Sequence, residues 1–257
     1  ALGQLVIDKH PLSVNWALAW VLVDGNIIKR TPAIRCADYF EVLFKQNYVA
    51  TYGEGFILSP NRTKLKITYF PASSNIPRDL TKNIDDLPDV SVVSKHVKKL
   101  QGIVDQTTQQ LESYSRYLGR NPDSAKVSDV IFYLPMSLWP ENLIVFINKI
   151  KEKVLLDPIA IKLKSFLMDL GCNEQPSRSQ WTELVSNLAN IGLGIEPDIF
   201  AGVKMPKNDE LIVIFQMDKN DITSRSKPEY QVAIITLDLA SSVALADGDV
   251  SEIELNL

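Results

Sequence analysis

Apolar residues recur at helical spacing along most of the chain, and the longest such pattern lies between residues 97 and 118. Its members are separated by 3, 4, 7, 3 and 4 residues, and Gly119 follows the last of them. A narrow apolar stripe of this kind predicts one long helix. We favour packing of this helix on its own domain over a coiled-coil partner surface, because sustained coiled coils carry more heptads. The stripe comprises Val97, Leu100, Val104, Leu111, Tyr114 and Leu118.

Start and stop signals predict further helices on either side of this stripe. Serine, threonine and aspartate are common N-cap residues, and proline is common in the first helical turn. Such starts occur at Ser13, Thr31 with Pro32, Pro140, Asp157 with Pro158, Ser177 with Gln180, and Ser226 with Glu229. The last two pairs have the spacing of a capping box. We expect Gly53 and Gly171 to end two of these helices, and the final helix to run to Ala246.

Strand signals are fewer and predict two small β-hairpins. Residues 55–70 contain two β-rich runs on either side of a Ser-Pro-Asn cluster, and residues 195–203 and 211–215 flank a second turn cluster. A turn at the entry to the strand predicted over residues 195–203 explains Pro197 and Asp198, so we favour it over a contact or ligand role for Glu196 and Asp198. Together the patterns predict an α+β fold that is mainly α-helical.

The same patterns predict a division of the chain into parts. Residues 1–75 form an N-terminal helix and hairpin subdomain, and residues 76–90 are a linker or long loop because they are rich in Pro, Ser, Asn and Asp. Residues 91–225 form a helical subdomain with a β-hairpin near 195–217. Residues 226–257 form the last part, which opens with a helix.

Composition narrows the class of protein. The 257 residues are 46 % hydrophobic and 23 % charged, as in ordinary globular proteins, and the net charge of -4 argues against a nucleic-acid-binding module. Cys36 and Cys172 lie far apart, which argues against a disulfide framework and a zinc cluster and fits a cytoplasmic location. The chain has no apolar run of the ~18 residues that a membrane span requires.

The common signatures of catalysis do not occur. The sequence contains no nucleophile elbow, no phosphate-binding P-loop, no dinucleotide fingerprint after a strand and no HExxH pair. Neither cysteine has a histidine close to it in sequence, and the histidines are His10 and His96. We therefore predict a protein that is not an enzyme.

Basic residues cluster in the first predicted hairpin, at residues 61–66. Arg62, Lys64 and Lys66 alternate with uncharged residues there. A solvated face explains this pattern, and the alternative is a nucleic-acid-associated module in which the three side chains contact phosphates.

Acidic residues cluster at residues 247–254, where Asp247, Asp249, Glu252 and Glu254 surround Gly248. A complete EF-hand is excluded, because its first and third positions would be Val243 and Leu245, whose side chains cannot bind calcium. A helix junction accounts for most of the pattern: Gly248 would end one helix, and Ser251 with Glu254 would form a capping box. A divalent-metal site through the carboxylates is the alternative.

The stretch LASSVALADGDVSEIE resembles the start of the TerB family of tellurite-resistance proteins. In that family an apolar helix runs into a DG-x-[VI]-S-x-x-E turn and a second helix. Asp247, Gly248, Val250, Ser251 and Glu254 match the turn. Three upstream blocks resemble the N-terminal region of larger TerB-containing proteins, and they lie at residues 30–73, 156–171 and 191–215.

This resemblance implies both a fold and a role. It implies that residues 226–257 are the start of a TerB-like helical domain, which we expect to be truncated. TerB domains are helical bundles thought to bind divalent metal at such acidic turns, so the metal, Ca²⁺ or Mg²⁺/Mn²⁺, would be held in a half-site by Asp247, Asp249 and Glu254, with Glu252 as a further candidate. The family is associated with stress response and phage defence, alongside ATPases, helicases or other Ter proteins. The resemblance therefore implies an accessory scaffold that binds such partners and adjoins a metal-binding TerB domain.

Overall fold

The computed structural model describes residues 1–70, 72, 75, 80–122, 130–172, 174–217 and 228–244. The chain divides into two compact units, Ala1–Asp123 and Ser124–Leu257. Helices contain 55 % of the residues and strands 15 %, and the strands form small antiparallel sheets. This composition confirms the predicted α+β, mainly helical fold.

The first unit is built mainly from helices. Its described elements are α1 (Leu2–Ile7), β1 (Pro11–Leu12), α2 (Val14–Val23), α3 (Thr31–Arg35), α4 (Ala37–Tyr52), β2 (Phe56–Ile57), β3 (Lys64–Tyr69), β4 (Leu80–Pro88), α5 (Ser94–Gln110) and α6 (Glu112–Arg120). Helix α2 follows Ser13 and α4 ends at Gly53, as the sequence predicts.

The core of this unit lies between α4 and its neighbours α2 and α5. Burial of large apolar side chains on one face of α4 supplies most of the driving force there, at roughly 1.5–3 kcal/mol for each fully buried side chain. Hydrogen bonds between side chains fix the register of α4 against α5. Asn47 Nδ2 on α4 donates to Thr107 Oγ1 at 3.0 Å and to Gln110 Oε1 at 2.8 Å, both on α5. The buried α4 side chains are Phe40, Leu43, Phe44 and Tyr48.

The apolar stripe at residues 97–118 packs inside this unit. This agrees with the prediction that it packs on its own domain and does not form a coiled-coil surface. Leu100, Val104 and Leu111 are fully buried. The stripe nevertheless spans two helices, because α5 ends at Gln110 and α6 begins at Glu112. The N–H of Leu111 donates to the carbonyls of both Thr107 and Thr108 at 3.2 Å, which tightens the last turn of α5.

The prediction of a β-hairpin over residues 55–70 is wrong. Strand β2 pairs with β1, where Leu12 lies opposite Phe56, and β3 pairs with β4. The partner of β3 therefore comes from residues 80–88, which were expected to belong to a linker. Phe56 is buried beside Tyr48 and Tyr52, so packing of its ring into the core directs β2 away from β3.

The second unit combines helices with one three-stranded antiparallel sheet. Its described elements are α7 (Val130–Tyr133), α8 (Glu141–Val154), β5 (Ile159–Lys162), α9 (Leu163–Asp169), α10 (Arg178–Asn190), β6 (Leu193–Glu196), β7 (Leu211–Gln216) and α11 (Pro228–Ala244), with 3₁₀ helices at Met136–Leu138 and Ile199–Ala201. The strand order in the sheet is β5-β7-β6.

The sheet confirms one predicted pairing and corrects its details. Strands β6 and β7 pair as expected, with Ile195 opposite Ile214, but β6 ends at Glu196 rather than near residue 203. Asp198 starts a 3₁₀ helix instead, because its Oδ1 accepts the N–H of Phe200 at 2.9 Å. Residues 159–162, predicted to be helical, form β5, since pairing with β7 uses their alternating isoleucines.

The capping box at Ser177 is confirmed. Gln180 N–H donates to Ser177 Oγ at 3.3 Å, and Ser177 N–H donates to Gln180 Oε1 at 2.9 Å. These bonds satisfy two backbone donors at the start of α10. The helix then buries Trp181, Leu184 and Leu188 on one face.

Candidate docking site

Helix α11 exposes several large apolar side chains. Val232 is 62 % exposed, Ile235 64 %, Leu237 72 % and Leu239 67 %. A helix that is apolar on several sides is normally buried by neighbours. Single exposed apolar residues need no explanation, but a contiguous group on one helix is typical of a surface that binds another molecule.

Three of these side chains lie on one face of α11. Val232, Ile235 and Leu239 occupy positions i, i+3 and i+7, which an α-helix of 3.6 residues per turn brings onto one line. We call these three residues the α11 stripe. Rows with this spacing are those that pack between neighbouring helices.

The other side of α11 holds the helix on its own unit. The hydroxyl of Tyr230 donates to Glu196 Oε1 at 2.6 Å, which connects the first turn of α11 to the end of β6. Asp198 is fully buried at the start of the neighbouring 3₁₀ helix, and Gly202 ends that helix in the left-handed conformation, with φ of 86°. Glu196 and Asp198 therefore have structural roles, in agreement with the turn favoured from the sequence.

A groove of about 670 Å³ lies between α11 and residues 197–210. Apolar side chains form part of its wall: Pro197, Val203 and Met205 come from the segment after β6, and Ile234 and Ile235 come from α11. Ile235 belongs both to this wall and to the α11 stripe. The groove and the stripe therefore adjoin each other, and we call the two together the α11 surface.

Charged side chains line the same groove. Lys204 and Lys207 are exposed, and Glu210 lies with them. Glu210 Oε2 accepts the backbone N–H of Lys207 at 2.8 Å, so this carboxylate is engaged within the loop. Across the residues for which the structure gives positions, neither lysine forms an ion pair. The groove thus carries charges of both signs, because Glu210 keeps its negative charge beside the two lysines.

The predicted metal ligands cannot be placed. Asp247, Asp249, Glu252 and Glu254 lie outside the described residues. Within the described ranges, no three His, Cys, Asp or Glu side chains come together as a metal site would need. The half-site therefore stays a prediction.

The basic residues of the predicted hairpin are only partly brought together. Lys64 Nζ donates to the backbone carbonyl of Asp86 at 2.7 Å and lies 3.7 Å from its Oδ1. Lys66 lies opposite Asn83 in the sheet, and Arg62 precedes β3. One of the three cations is thus bound to an acidic residue, which weakens the local positive field. The nucleic-acid alternative stays a prediction with little support from this geometry.

The cysteines and His96 are buried. Cys36 and Cys172 lie in different units and are not joined in a disulfide, and burial raises the pKa of Cys36, which favours the unreactive thiol form. His96 is 1 % exposed, and its Nε2 accepts the N–H of Ser59 at 2.9 Å. These positions agree with structural roles for all three side chains.

Among the described residues, no helix is both long and apolar enough to cross a bilayer.

Sequence reasoning missed the α11 surface, although a signal for it was present. Residues 228–244 are apolar on more than one side of the helix, and the spacing of Val232, Ile235 and Leu239 is visible in the sequence. What the sequence does not show is that these residues remain uncovered by the described part of the second unit.

Comparison of the chain with protein-family models, curated proteins and solved structures gives no match.

Proposed function

We propose that this chain is a non-enzymatic docking module that binds a partner protein through the α11 surface. The observation that carries the proposal is the α11 stripe, whose three apolar side chains lie on one face and are all more than half exposed. Burial of apolar surface contributes about 25 cal/mol per Å² of favourable free energy. Covering the stripe with a partner protein would therefore be favourable. A contiguous apolar row beside a groove is typical of protein-binding sites.

We further propose that the module works in a TerB-type stress-response or phage-defence system, in the cytoplasm. The resemblance of the segment at residues 239–254, with its acidic turn, supports this setting. Its partners there would be an ATPase, a helicase or another Ter protein. The divalent-metal half-site of Asp247, Asp249 and Glu254 belongs to the same proposal, and calcium, magnesium and manganese titrations of wild type against Asp247→Asn/Asp249→Asn test it.

Site-specific photo-cross-linking tests the docking function. A photoreactive amino acid replaces Ile235 in one sample and the exposed Lys45 in the first unit in another, and both proteins are irradiated in the cells that naturally express them. We expect a discrete cross-linked protein at position 235 that disappears when Val232→Glu and Leu239→Glu are added. Identical products at positions 235 and 45, or no product at 235, would contradict docking at this surface.

A further inference from the structure

The imidazole of His96 connects residues 56–59 to helix α5 in the first unit. Phe56 and Leu58 are buried, whereas Ser59 is exposed, so the segment lies at the surface with alternate side chains directed inwards. The Nε2 atom of His96 accepts the N–H of Ser59 at 2.9 Å, and its ring stacks on Phe56 with 5.8 Å between the ring centroids. One buried side chain thus contacts both ends of the segment.

These contacts require an uncharged imidazole. A ring nitrogen that accepts a hydrogen bond carries no proton, so the proton of the neutral His96 ring is on Nδ1. This Nδ1 atom is buried and has no hydrogen-bond partner among the residues whose positions are described. Protonation of Nε2 would place a second N–H opposite the N–H of Ser59, and the hydrogen bond between them would be lost.

Helix α5 opposes a positive charge on His96. The imidazole lies in the first turn of the helix, where the helix dipole is positive. Burial lowers the pKa of His96, and the charges of Lys99 and Lys95 lower it further. The Lys99 ammonium also lies 4.3 Å from the centroid of the Phe56 ring. A charged imidazole stacked on that ring would therefore lie near a second cation.

The other elements around His96 do not offset this charge. Residues 56–59 contain no titratable side chain. Helix α4 contributes Tyr48 and Tyr52, which pack against Phe56, and burial raises the pKa of both, so they stay uncharged at neutral pH. Within the described part of the chain, no carboxylate forms an ion pair with the imidazole. Protonation of His96 is thus coupled to movement of the segment.

The segment can open without the rest of the first unit. Strand β2 pairs with β1 over two residues, and a two-stranded pair is marginally stable by itself. Strand β1 has an attachment of its own, because the hydroxyl of Tyr48 donates to the carbonyl of Leu12. Release of β2 therefore leaves β1 bound to α4.

We propose that residues 56–59 form a pH-sensitive latch, which opens when His96 is protonated while α4 and α5 stay packed. Opening transfers the Ser59 N–H to water and uncovers Phe56 and Leu58. The latch lies in the first unit and does not depend on the proposed docking function.

Amide hydrogen exchange of the whole chain, followed by NMR and corrected for the intrinsic exchange rate at each pH, tests the latch. At each pH we expect the Ser59 amide to be at least roughly tenfold less protected than that of Leu100, which lies in the core of α5 and exchanges only by a larger opening. Protection of Ser59 should fall at least about fivefold from pH 7 to pH 5, because the imidazole of the open state has the ordinary histidine pKa of about 6.5.

Two glutamine variants show whether His96 is the titrating group. In His96→Gln the amide oxygen can accept the Ser59 N–H without titrating, so the pH dependence of Ser59 protection should disappear. His10→Gln changes the other histidine, which is exposed, and should retain the wild-type dependence. The comparison of Ser59 with Leu100 in wild type needs no variant and remains decisive if His96→Gln does not fold.

Three results would overturn the proposal. Equal protection of Ser59 and Leu100 would mean that the segment opens only when the whole unit unfolds. Protection of Ser59 that is the same at pH 7 and pH 5 would show that the imidazole does not control the segment. An unchanged pH dependence in a folded His96→Gln protein would assign the titration to another group.

Discussion

The hydroxyl of Tyr230 lies 2.6 Å from Glu196 Oε1 and donates to it, across 34 positions of the chain. This bond joins the first turn of α11 to the last residue of β6. The remaining turns of α11 expose apolar side chains, so the attachment of the helix depends strongly on its beginning. The attachment at the start of α11 also determines the position of the α11 stripe relative to Lys204 and Lys207.

Replacement of Tyr230 by Phe should loosen α11 without unfolding the unit. Loss of a part-buried hydrogen bond to a carboxylate costs about 1 kcal/mol, which corresponds to roughly fivefold faster amide exchange in α11. Hydrogen exchange with mass spectrometry measures this for residues 228–244. Tyr69→Phe, in the exposed strand β3, is the control and should leave α11 unchanged. Equal exchange in both variants would show that the bond does not hold the helix.

Gly55 is a position where a side chain cannot be accommodated. Its φ is +130°, and a Cβ there would lie 2.1 Å from the carbonyl oxygen of Leu12. We expect Gly55→Ala to lower the free energy of unfolding of the first unit by at least about 2 kcal/mol, because the β1–β2 pair must move apart. Gly25→Ala is the matched control, since no atom lies within 4 Å of a Cβ at Gly25. Denaturant unfolding of both variants measures the difference, and similar stabilities would contradict the close approach.

His96 makes the stability of the first unit depend on pH. Burial lowers the pKa of His96, and the nearby Lys99 and Lys95 lower it further. Its Nε2 accepts the N–H of Ser59, its ring stacks on Phe56, and protonation of Nε2 would remove this acceptor. The unfolded state then binds more protons than the folded state below a pH of about 6.5, so the free energy of unfolding should fall as the pH is lowered, by at most about 1.4 kcal/mol per pH unit.

The comparison that isolates His96 uses glutamine. The amide oxygen of His96→Gln can accept the Ser59 N–H but does not titrate, so the pH dependence between about 7 and 5 should be shallower than in wild type. His10→Gln, at an exposed position, should retain the wild-type slope. Denaturant unfolding at several pH values provides the test, and equal slopes in all three proteins would exclude a buried neutral His96.

Ser177 should contribute to stability through its cap. We expect Ser177→Ala to lower the free energy of unfolding of the second unit by about 1 kcal/mol, because Gln180 N–H loses its acceptor at the start of α10. Ser179→Ala, in the first turn of the same helix, should have little effect or stabilise slightly, since alanine has the higher helix propensity. Thermal unfolding distinguishes the two, and a larger loss in Ser179→Ala would contradict the capping role.

Features that depend on neighbouring residues in the chain could be predicted. The capping box of Ser177 and Gln180, the end of α4 at Gly53 and the start of α2 after Ser13 follow from contacts within a few positions. The mainly helical α+β class follows from summing many such local signals. The burial of Leu100, Val104 and Leu111 likewise follows from their helical spacing.

Features that depend on distant residues were decided by the tertiary structure. A β-strand is completed only by its partner: residues 80–88 become β4 by pairing with β3, and residues 159–162 become β5 by pairing with β7. The sequence determined the apolar spacing of Val232, Ile235 and Leu239, but their exposure depends on which surfaces the unit covers elsewhere. Burial is a property of packing between distant segments, so only the tertiary structure turned this spacing into a candidate docking site.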